Sequence, residues 1–237
     1  MKWEGRFSSA ARKRDYVRGL FSTIAPRYDL ITVLLSFGQD ARWKRRLAAL
    51  QPLTGASVLD LACGTGDIAY AAAVRGAHPV VGLDITPRML ELASERSGRT
   101  GAHVAFVAGD MTALPFSDGS FDVVTTGYGL RNVPVLDTAL SEAARVLRRG
   151  GVLLSLDFDR PPNPVVRSVY LAYLTVVGSA LGWVLHRDPD TYRYIPESIQ
   201  RYPGAAGVRA LALRSGFSRC EILPVLGGLL TIHRASK

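Results

Sequence analysis

The chain is predicted to fold as one α/β domain, a doubly wound, mostly parallel, Rossmann-like seven-stranded sheet ending in an antiparallel hairpin strand. Three observations carry that expectation. Short apolar runs alternate with helical segments from residue 56 onward, a glycine turn at Gly64-x-Gly66 follows the first run, and Leu226-Gly-Gly228 separates two strand-like runs at the C-terminal end. With 237 residues, 48% of them hydrophobic, the chain can bury one sizeable core.

The runs 56–61, 79–84, 103–108, 121–127 and 151–158 read as buried strands with helices between them, placing ligands at their carboxyl ends. Pro87 opens one helix, and 135–148 has apolar residues at helical spacing until Arg148-Arg-Gly-Gly151 ends it. The final runs, 219–225 and 229–234, form the hairpin. This divides the single domain into a helical lid (1–51), a cofactor-binding core (52–158), a helical substrate cap (159–200) and a C-terminal helix with the hairpin (201–237).

The segment from Val58 to Ala69 reads as strand, tight turn and helix start, the arrangement that builds a nucleotide site. Asp84, 18 residues beyond Gly66, ends the next strand where a carboxylate can hold both ribose hydroxyls. Gly64-x-Gly66-x-x-Ala69 also satisfies the relaxed NAD fingerprint, and charge separates the two. Asp60 and Asp67 flank the turn, which disfavours a pyrophosphate and suits the sulfonium of S-adenosylmethionine (SAM).

Cys63 and Cys220 have no metal-ligand spacing, so no metal site or disulfide framework is expected, and a reducing cytoplasm fits. Met1 to Phe7 lacks the continuous apolar core of a secretory signal. Of the net charge of +9, residues 1–51 supply +7 through 11 Lys/Arg against 4 Asp/Glu. The clusters Arg12-Lys13-Arg14 and Arg42-x-Lys44-Arg45-Arg46 read chiefly as solvated helix faces, with anionic lipid as the other reading. No nucleic-acid motif or interleaved aromatic residues accompany them, so nucleic acid is not an expected partner.

Ser168 to His186 is 19 residues without Asp, Glu, Lys or Arg, long enough to span a bilayer. It interrupts an α/β domain, and threading it through lipid would pull the strands of a single sheet apart. A cap over an apolar pocket, touching the membrane peripherally, is the expected role, and an ordinary core helix is the plainer alternative.

The loop motif, Phe21-Ser-Thr-Ile-Ala-Pro-Arg-Tyr28-Asp29-Leu, Ser36-Phe-Gly with Trp43-Lys44-Arg, and Ala113-Leu-Pro-Phe116 resemble the ubiquinone/menaquinone biosynthesis C-methyltransferase family, within the class I SAM-dependent methyltransferases. The specific segments are Tyr128-Gly-Leu-Arg131-Asn132-Val133 and Asp190-Thr-Tyr192-Arg193-Tyr194-Ile-Pro-Glu197-Ser198-Ile, and the resemblance spans nearly the whole chain. It implies SAM contacts from Tyr28, Asp60, Gly64, Thr65, Gly66, Asp84, Asp110, Met111 and Gly127, with Asp110 and Met111 at the adenine and Tyr28 and Asp29 closing the site. The chain departs from the family at Leu229-Leu-Thr-Ile-His233-Arg-Ala and lacks a proline usual in 171–187.

The chemistry so implied is methyl transfer to a ring carbon of a prenylated hydroquinone, either demethylmenaquinol or the ubiquinone precursor. The neighbouring phenol must ionise to make that carbon nucleophilic. Arg131 is the first candidate to stabilise phenolate, with Asn132 orienting the ring oxygen and Tyr192, Tyr194 and His233 as further proton carriers. The plainer reading of Arg131 is an ion pair with a sheet-end carboxylate such as Asp157. The expected setting is the cytoplasm and the inner membrane face, with a homodimer left open. A methyltransferase of another lipid or aromatic molecule, and a noncatalytic SAM-binding membrane-surface module, are the alternatives.

Overall fold

The computed structural model describes residues 9–237, so the stretch from Met1 to Phe7 lies outside the described residues. Three helices come first, α1 (Ala10–Ile24), α2 (Tyr28–Leu35) and α3 (Asp40–Ala48). The alternating core follows with β1 (Val58–Leu61), α4 (Asp67–Val74), β2 (Val80–Asp84), α5 (Pro87–Thr100), β3 (Ala105–Ala108), β4 (Phe121–Gly127), α6 (Leu136–Val146) and β5 (Leu147–Phe158). Then come α7 (Pro164–His186), α8 (Tyr194–Arg201), α9 (Gly204–Arg214), β6 (Arg219–Val225) and β7 (Leu230–Ser236).

The strand order is β3-β2-β1-β4-β5-β7-β6, with β7 antiparallel to both neighbours and the other pairings parallel. Alternation along the strands separates two cores. Leu59, Leu61, Val124 and Leu153 face Leu140 and Ala143 of α6 and Val208 and Ala212 of α9, whereas Val58, Val123 and Leu154 face Trp43 and Leu47 of α3 and Ile68 and Ala72 of α4. The chain reverses direction across the sheet between β1 and β4, so the loops after these strands meet in the crevice where doubly wound sheets bind ligands.

Beyond shifts of one or two residues at strand ends, two larger departures from the expectation occur. β5 begins at Leu147 instead of 151, because Phe121 pairs with Leu147 and Val123 with Val152, leaving Arg148–Gly150 as an exposed irregularity turned by Gly150 at φ 78°. Within the expected 1–51 lid, α3 packs into the sheet core through Trp43, Leu47 and Ala48, so only α1 and α2 lie outside it. Lys44, in the basic run expected on a solvated face, is likewise buried.

The long α7 lies outside the sheet cores. It buries Leu174, Gly178 and Gly182 and leaves Val165, Val169, Val176, Trp183 and Val184 exposed, so it is not an ordinary core helix. Among the described residues, it is the one helix long and apolar enough by itself to cross a membrane. Its glycines allow close approach to the following segment: a Cβ at Gly178 would lie 3.2 Å from Tyr192 Cβ, and one at Gly182 only 2.5 Å from the Asp188 carbonyl.

Candidate active site

The turn after β1 is built by left-handed residues, Ala62 at φ 51°, Gly64 at 54° and Gly66 at 86°, before α4 starts at Asp67. A Cβ at Gly66 would lie 3.0 Å from the Tyr70 ring and 3.1 Å from Phe106, so Gly66 is required by packing as well as by its dihedral. Beneath the turn, the buried Asp60 accepts from Ala69 N at 3.1 Å and Thr125 Oγ1 at 2.8 Å, tying helix to sheet. Burial pushes its carboxyl up to about 7.

A small cavity of about 80 Å³ opens beside this turn. Gly64, Asp84, Asp110, Met111, Gly127, Tyr28 and Asn132 line it, together with Arg14, Val17 and Phe21 of α1. Asp84 lines this cavity and accepts from Gly64 N at 2.9 Å on one oxygen and Thr86 N at 2.8 Å on the other. Burial raises its carboxyl above the ordinary range, against these bonds and those from the Thr86 side chain and Ile85 N–H. Asp110 accepts from Thr112 N and Oγ1 at 2.8 and 2.7 Å and meets Arg14 at 3.4 Å.

Asn132 donates to the Tyr128 carbonyl at 2.7 Å, and its buried Oδ1 has no hydrogen-bond partner among the described residues. That orphan acceptor, the Asp84 carboxylate on the cavity wall and the room above Gly64, where the nearest atom to an added Cβ is Tyr28 Cε1 at 3.8 Å, fit a nucleoside carrying hydroxyl and amino donors. Asn132 lines this small cavity and not the larger one, so the expected contact with a substrate ring oxygen is replaced by a hold on Tyr128.

Three of the expected cofactor residues, Asp60, Thr65 and Gly66, line neither cavity. Thr65 Oγ1 donates to Asp29 at 2.8 Å and its carbonyl accepts from Arg96 at 3.0 Å, which fastens α2 over the loop. The acid-flanked turn needs a correction too. Asp67 is paired with Lys44 and Arg96, each at 2.9 Å, and although burial opposes its charge, these cations hold its carboxyl below the usual range. The loop is therefore charge-balanced, and its acidity alone does not select a sulfonium.

A second cavity of about 600 Å³ lies between α1, α2, α7 and α8, walled by aliphatic and aromatic residues. Its only charged lining residues, among those described, are Asp40 and Arg131. Phe21, Tyr28 and Tyr128 line both cavities and mark where they meet. Arg131 is buried on the 3-10 turn Leu130–Asn132. Its Nε donates to Asp157 Oδ1 at 3.0 Å, its backbone N–H to Asp157 Oδ2 at 3.1 Å and its Nη1 to Ser198 Oγ at 2.8 Å, while the guanidinium lies 5.0 Å from the Phe158 ring centre. The ion pair with Asp157 is therefore present, and it fixes the cation on the cavity wall.

Tyr192 and Tyr194 also line the large cavity. Tyr192 Oη lies 2.7 Å from His186 Nε2, and the Tyr194 ring is 5.5 Å from Tyr16 on α1. Burial pushes both phenols above the ordinary tyrosine range. His233 lines neither cavity: it sits in β7 opposite Ser155 and Ile222, its Nε2 3.0 Å from the Ala205 carbonyl. Burial lowers its basicity, and it is a sheet-to-helix contact.

Residues absent from the sequence-based candidates also enter the site. Lys13 on α1 reaches the carbonyls of Arg131 and Val133, so the lid holds the turn that carries Arg131. Burial, with Arg131 and Arg201 nearby, lowers its ammonium to about 8. Tyr128 takes φ 61° between Gly127 and Gly129, and the Gly-Tyr-Gly triplet at a strand end was the available signal.

A glycine turn, acidic residues ending β2 and following β3, and a seven-stranded sheet with an antiparallel β7 define a class I SAM-dependent methyltransferase. A SAM-dependent methyltransferase from Thermotoga maritima shares this fold with a TM-score of 0.69 at 19% identity, over 93% of this chain and 99% of that one. The sequence model of the ubiE/COQ5 methyltransferase family matches residues 9–237, and the chain belongs to that family. A demethylmenaquinone methyltransferase of Thermus thermophilus is 43% identical over 218 residues, 90% of this chain and 98% of the relative. A ubiquinone/menaquinone biosynthesis C-methyltransferase of Rhizobium johnstonii is 38% identical over 234 residues, 95% of this chain and 90% of its own.

Proposed function

We propose that the protein methylates a ring carbon of a prenylated hydroquinone, with demethylmenaquinol as the acceptor that its 43% identical relative suggests. The single observation that carries this reading is the meeting of the two cavities at Phe21, Tyr28 and Tyr128: a small cleft with two carboxylates joins an apolar chamber of about 600 Å³ holding one arginine. Bound SAM supplies an electrophilic methyl group on a sulfonium. Asp84 would hold the ribose, Asp110 and the Met111 backbone N–H the adenine, and Gly64 leaves room for the chain of the cofactor in the cleft that Gly127 also lines. Asp60, Thr65 and Gly66 support the loop, and Tyr28 closes it.

In the large cavity, Arg131 would stabilise the phenolate oxygen whose electrons activate the ring carbon. A guanidinium remains protonated, so it serves as a fixed cation and not as a base. The aliphatic wall of α2 and α7 takes the prenyl tail. Phe37, Val165, Val166, Val169 and Leu226 line the cavity and are also exposed, so its mouth opens on an apolar face continued by Leu30, Val33, Leu34 and Trp183. That face suits peripheral contact with the inner surface of the cytoplasmic membrane, from which a long-tailed quinol enters without α7 spanning the bilayer.

The test is anaerobic incubation of the purified protein with SAM and reduced demethylmenaquinone, followed by mass spectrometry. One added methyl group on carbon supports the reading. Methylation of oxygen or nitrogen, or tight SAM binding with no turnover on naphthoquinols or benzoquinols, overturns it.

A further inference from the structure

We propose that Tyr128 and Asp40 form the proton-accepting pair for the substrate hydroxyl, with Tyr128 touching the substrate and Asp40 acting through it. The inference rests on the C-methyltransferase reading above and identifies the base that Arg131 cannot be. Four observations carry it.

Tyr128 stands at the junction of the cavities, where the acceptor ring must meet the methyl donor. Its backbone is held at φ 61°, an unfavourable conformation for a residue with a side chain, and two bonds enforce it: its N–H donates to the Leu156 carbonyl and its carbonyl accepts from Asn132, both at 2.7 Å. Its hydroxyl donates its one proton to Asp40 Oδ1 at 2.8 Å, which leaves the Oη lone pairs as acceptors. Asp40 is the one carboxylate among the described residues lining the large cavity.

Lys44 lies 2.7 Å from Asp40 Oδ2 and 2.9 Å from Asp67 Oδ2, so when Asp40 is neutralised the buried ammonium keeps a carboxylate partner. Arg96 holds Asp67 from α5. Tyr28 on α2, Arg131 on its turn and Asp157 on β5 complete the titratable and charged groups that face the pair. Burial first, and then Asp40, keep the Tyr128 phenol far above its ordinary range, so it remains a neutral relay and does not build up as tyrosinate.

The step balances as follows. The substrate O–H bond breaks and its proton passes to Tyr128 Oη, while the tyrosine proton passes to Asp40. The electron pair left on the substrate oxygen drives the ring carbon to bond the methyl group, and the electrons of the broken S–CH3 bond stay on sulfur. The ring C–H proton is then lost to solvent and Asp40 returns its proton to the oxygen, so each turnover releases one proton overall.

The test measures kcat/KM against pH for the wild type, Tyr128→Phe and Asp40→Asn, using reduced demethylmenaquinone and an electron-poor naphthol already ionised at assay pH. SAM affinity by calorimetry and Tm are measured alongside. With the pair in place, both variants lose at least a hundredfold at pH 7 and recover as pH rises toward the quinol's own ionisation. The defect shrinks to a few-fold on the pre-ionised naphthol, and SAM affinity stays within threefold. Tyr128→Phe leaves the Asp40–Lys44 pair untouched and decides the matter if Asp40→Asn fails to fold. Turnover within threefold of wild type at pH 7, or an equal loss on both substrates at every pH, overturns the pair. A wild type that methylates neither substrate instead overturns the methyltransferase reading beneath it.

Discussion

Asp60 and Asp84 are both buried carboxylates at the ends of neighbouring strands, yet their surroundings give them different work. Asp84 lines the small cavity, so if it holds the ribose, Asp84→Ala is expected to weaken SAM binding by about 1.5–3 kcal/mol, the range for hydrogen bonds to charged groups. Calorimetry checks it, and unchanged affinity would remove Asp84 from the cofactor site. Asp60 instead acts on stability. Its carboxyl sits at about 7 when folded against about 3.8 unfolded, so the folded state binds the extra proton between those values. Its contribution is full below 3.8 and is lost as pH rises toward 7, a swing on the order of 4 kcal/mol. Asp60→Asn, which does not titrate, should flatten the pH dependence of Tm between pH 4 and 7, and an unchanged slope would refute the assignment. In the proposed reaction Arg131 would combine both kinds of work. Arg131→Ala strands Asp157 and should cost about 3–5 kcal/mol of stability, so Arg131→Lys is the informative variant. A flexible point charge cannot reproduce the three-way hold of the guanidinium, and turnover should fall at least about tenfold with SAM affinity unchanged. Lysine at wild-type turnover would leave Arg131 a purely structural ion pair.

At the scale of the element, α7 shows how composition and position together set a role. A 23-residue apolar helix attached to an α/β core could have been buried, yet the sheet faces are already covered by α3, α4, α6 and α9. The helix therefore lies outside and encloses a cavity with α1, α2 and α8. Gly178 and Gly182, one turn apart, bring it against the Asp188–Tyr192 segment, and no side chain fits at Gly182 beside the Asp188 carbonyl. Gly182→Leu should push the cap outward, raising KM for the quinol several-fold with SAM affinity unchanged. A KM equal to wild type would show that the cap does not shape the cavity. Each methylene of tail that fits inside contributes about 0.8 kcal/mol, so affinity should rise with each added prenyl unit until the chamber is full and then level off.

Over the whole molecule, the net charge of +9 and the exposed apolar face of α2 and α7 are the two features on which the proposed peripheral membrane contact rests. Phe37 is 76% exposed and stacks on Tyr173 at 5.8 Å, joining the two helices at the cavity mouth, and Trp183 is 58% exposed beneath the Arg187 guanidinium. Basic residues gain about 1 kcal/mol each near an anionic surface, and this gain is screened within a Debye length. Vesicles containing a third phosphatidylglycerol should therefore retain the protein in a sedimentation assay at 50 mM salt and release most of it at 500 mM. Phe37→Ser with Trp183→Ser should reduce retention at both salts. No retention at either salt, or retention indifferent to salt and to both substitutions, would overturn this face as a membrane contact.

What the sequence determined by itself was whatever depends on neighbours along the chain. The seven strand runs, the glycine turn and the acidic residue closing β2 were legible because strand patterning and tight turns are set within a few residues. The resemblance to quinone-pathway methyltransferases was legible in the same local way, through motifs of six to ten residues. The tertiary structure decided the rest, because the deciding partners are remote in sequence. Lys44 and Arg96 neutralise Asp67 from 23 and 29 positions away, which cancels an argument from local charge. Tyr128 meets Asp40 across 88 positions, and His233 is carried by β7 against α9, away from both cavities. The start of β5 escaped because Arg148-Arg-Gly-Gly151 has the composition of a helix stop, and only pairing with β4 draws Leu147 into the sheet. Periodicity reports which face of an element is apolar, but which charges meet across the fold follows from how elements stack, and that is settled by the packing of the whole chain.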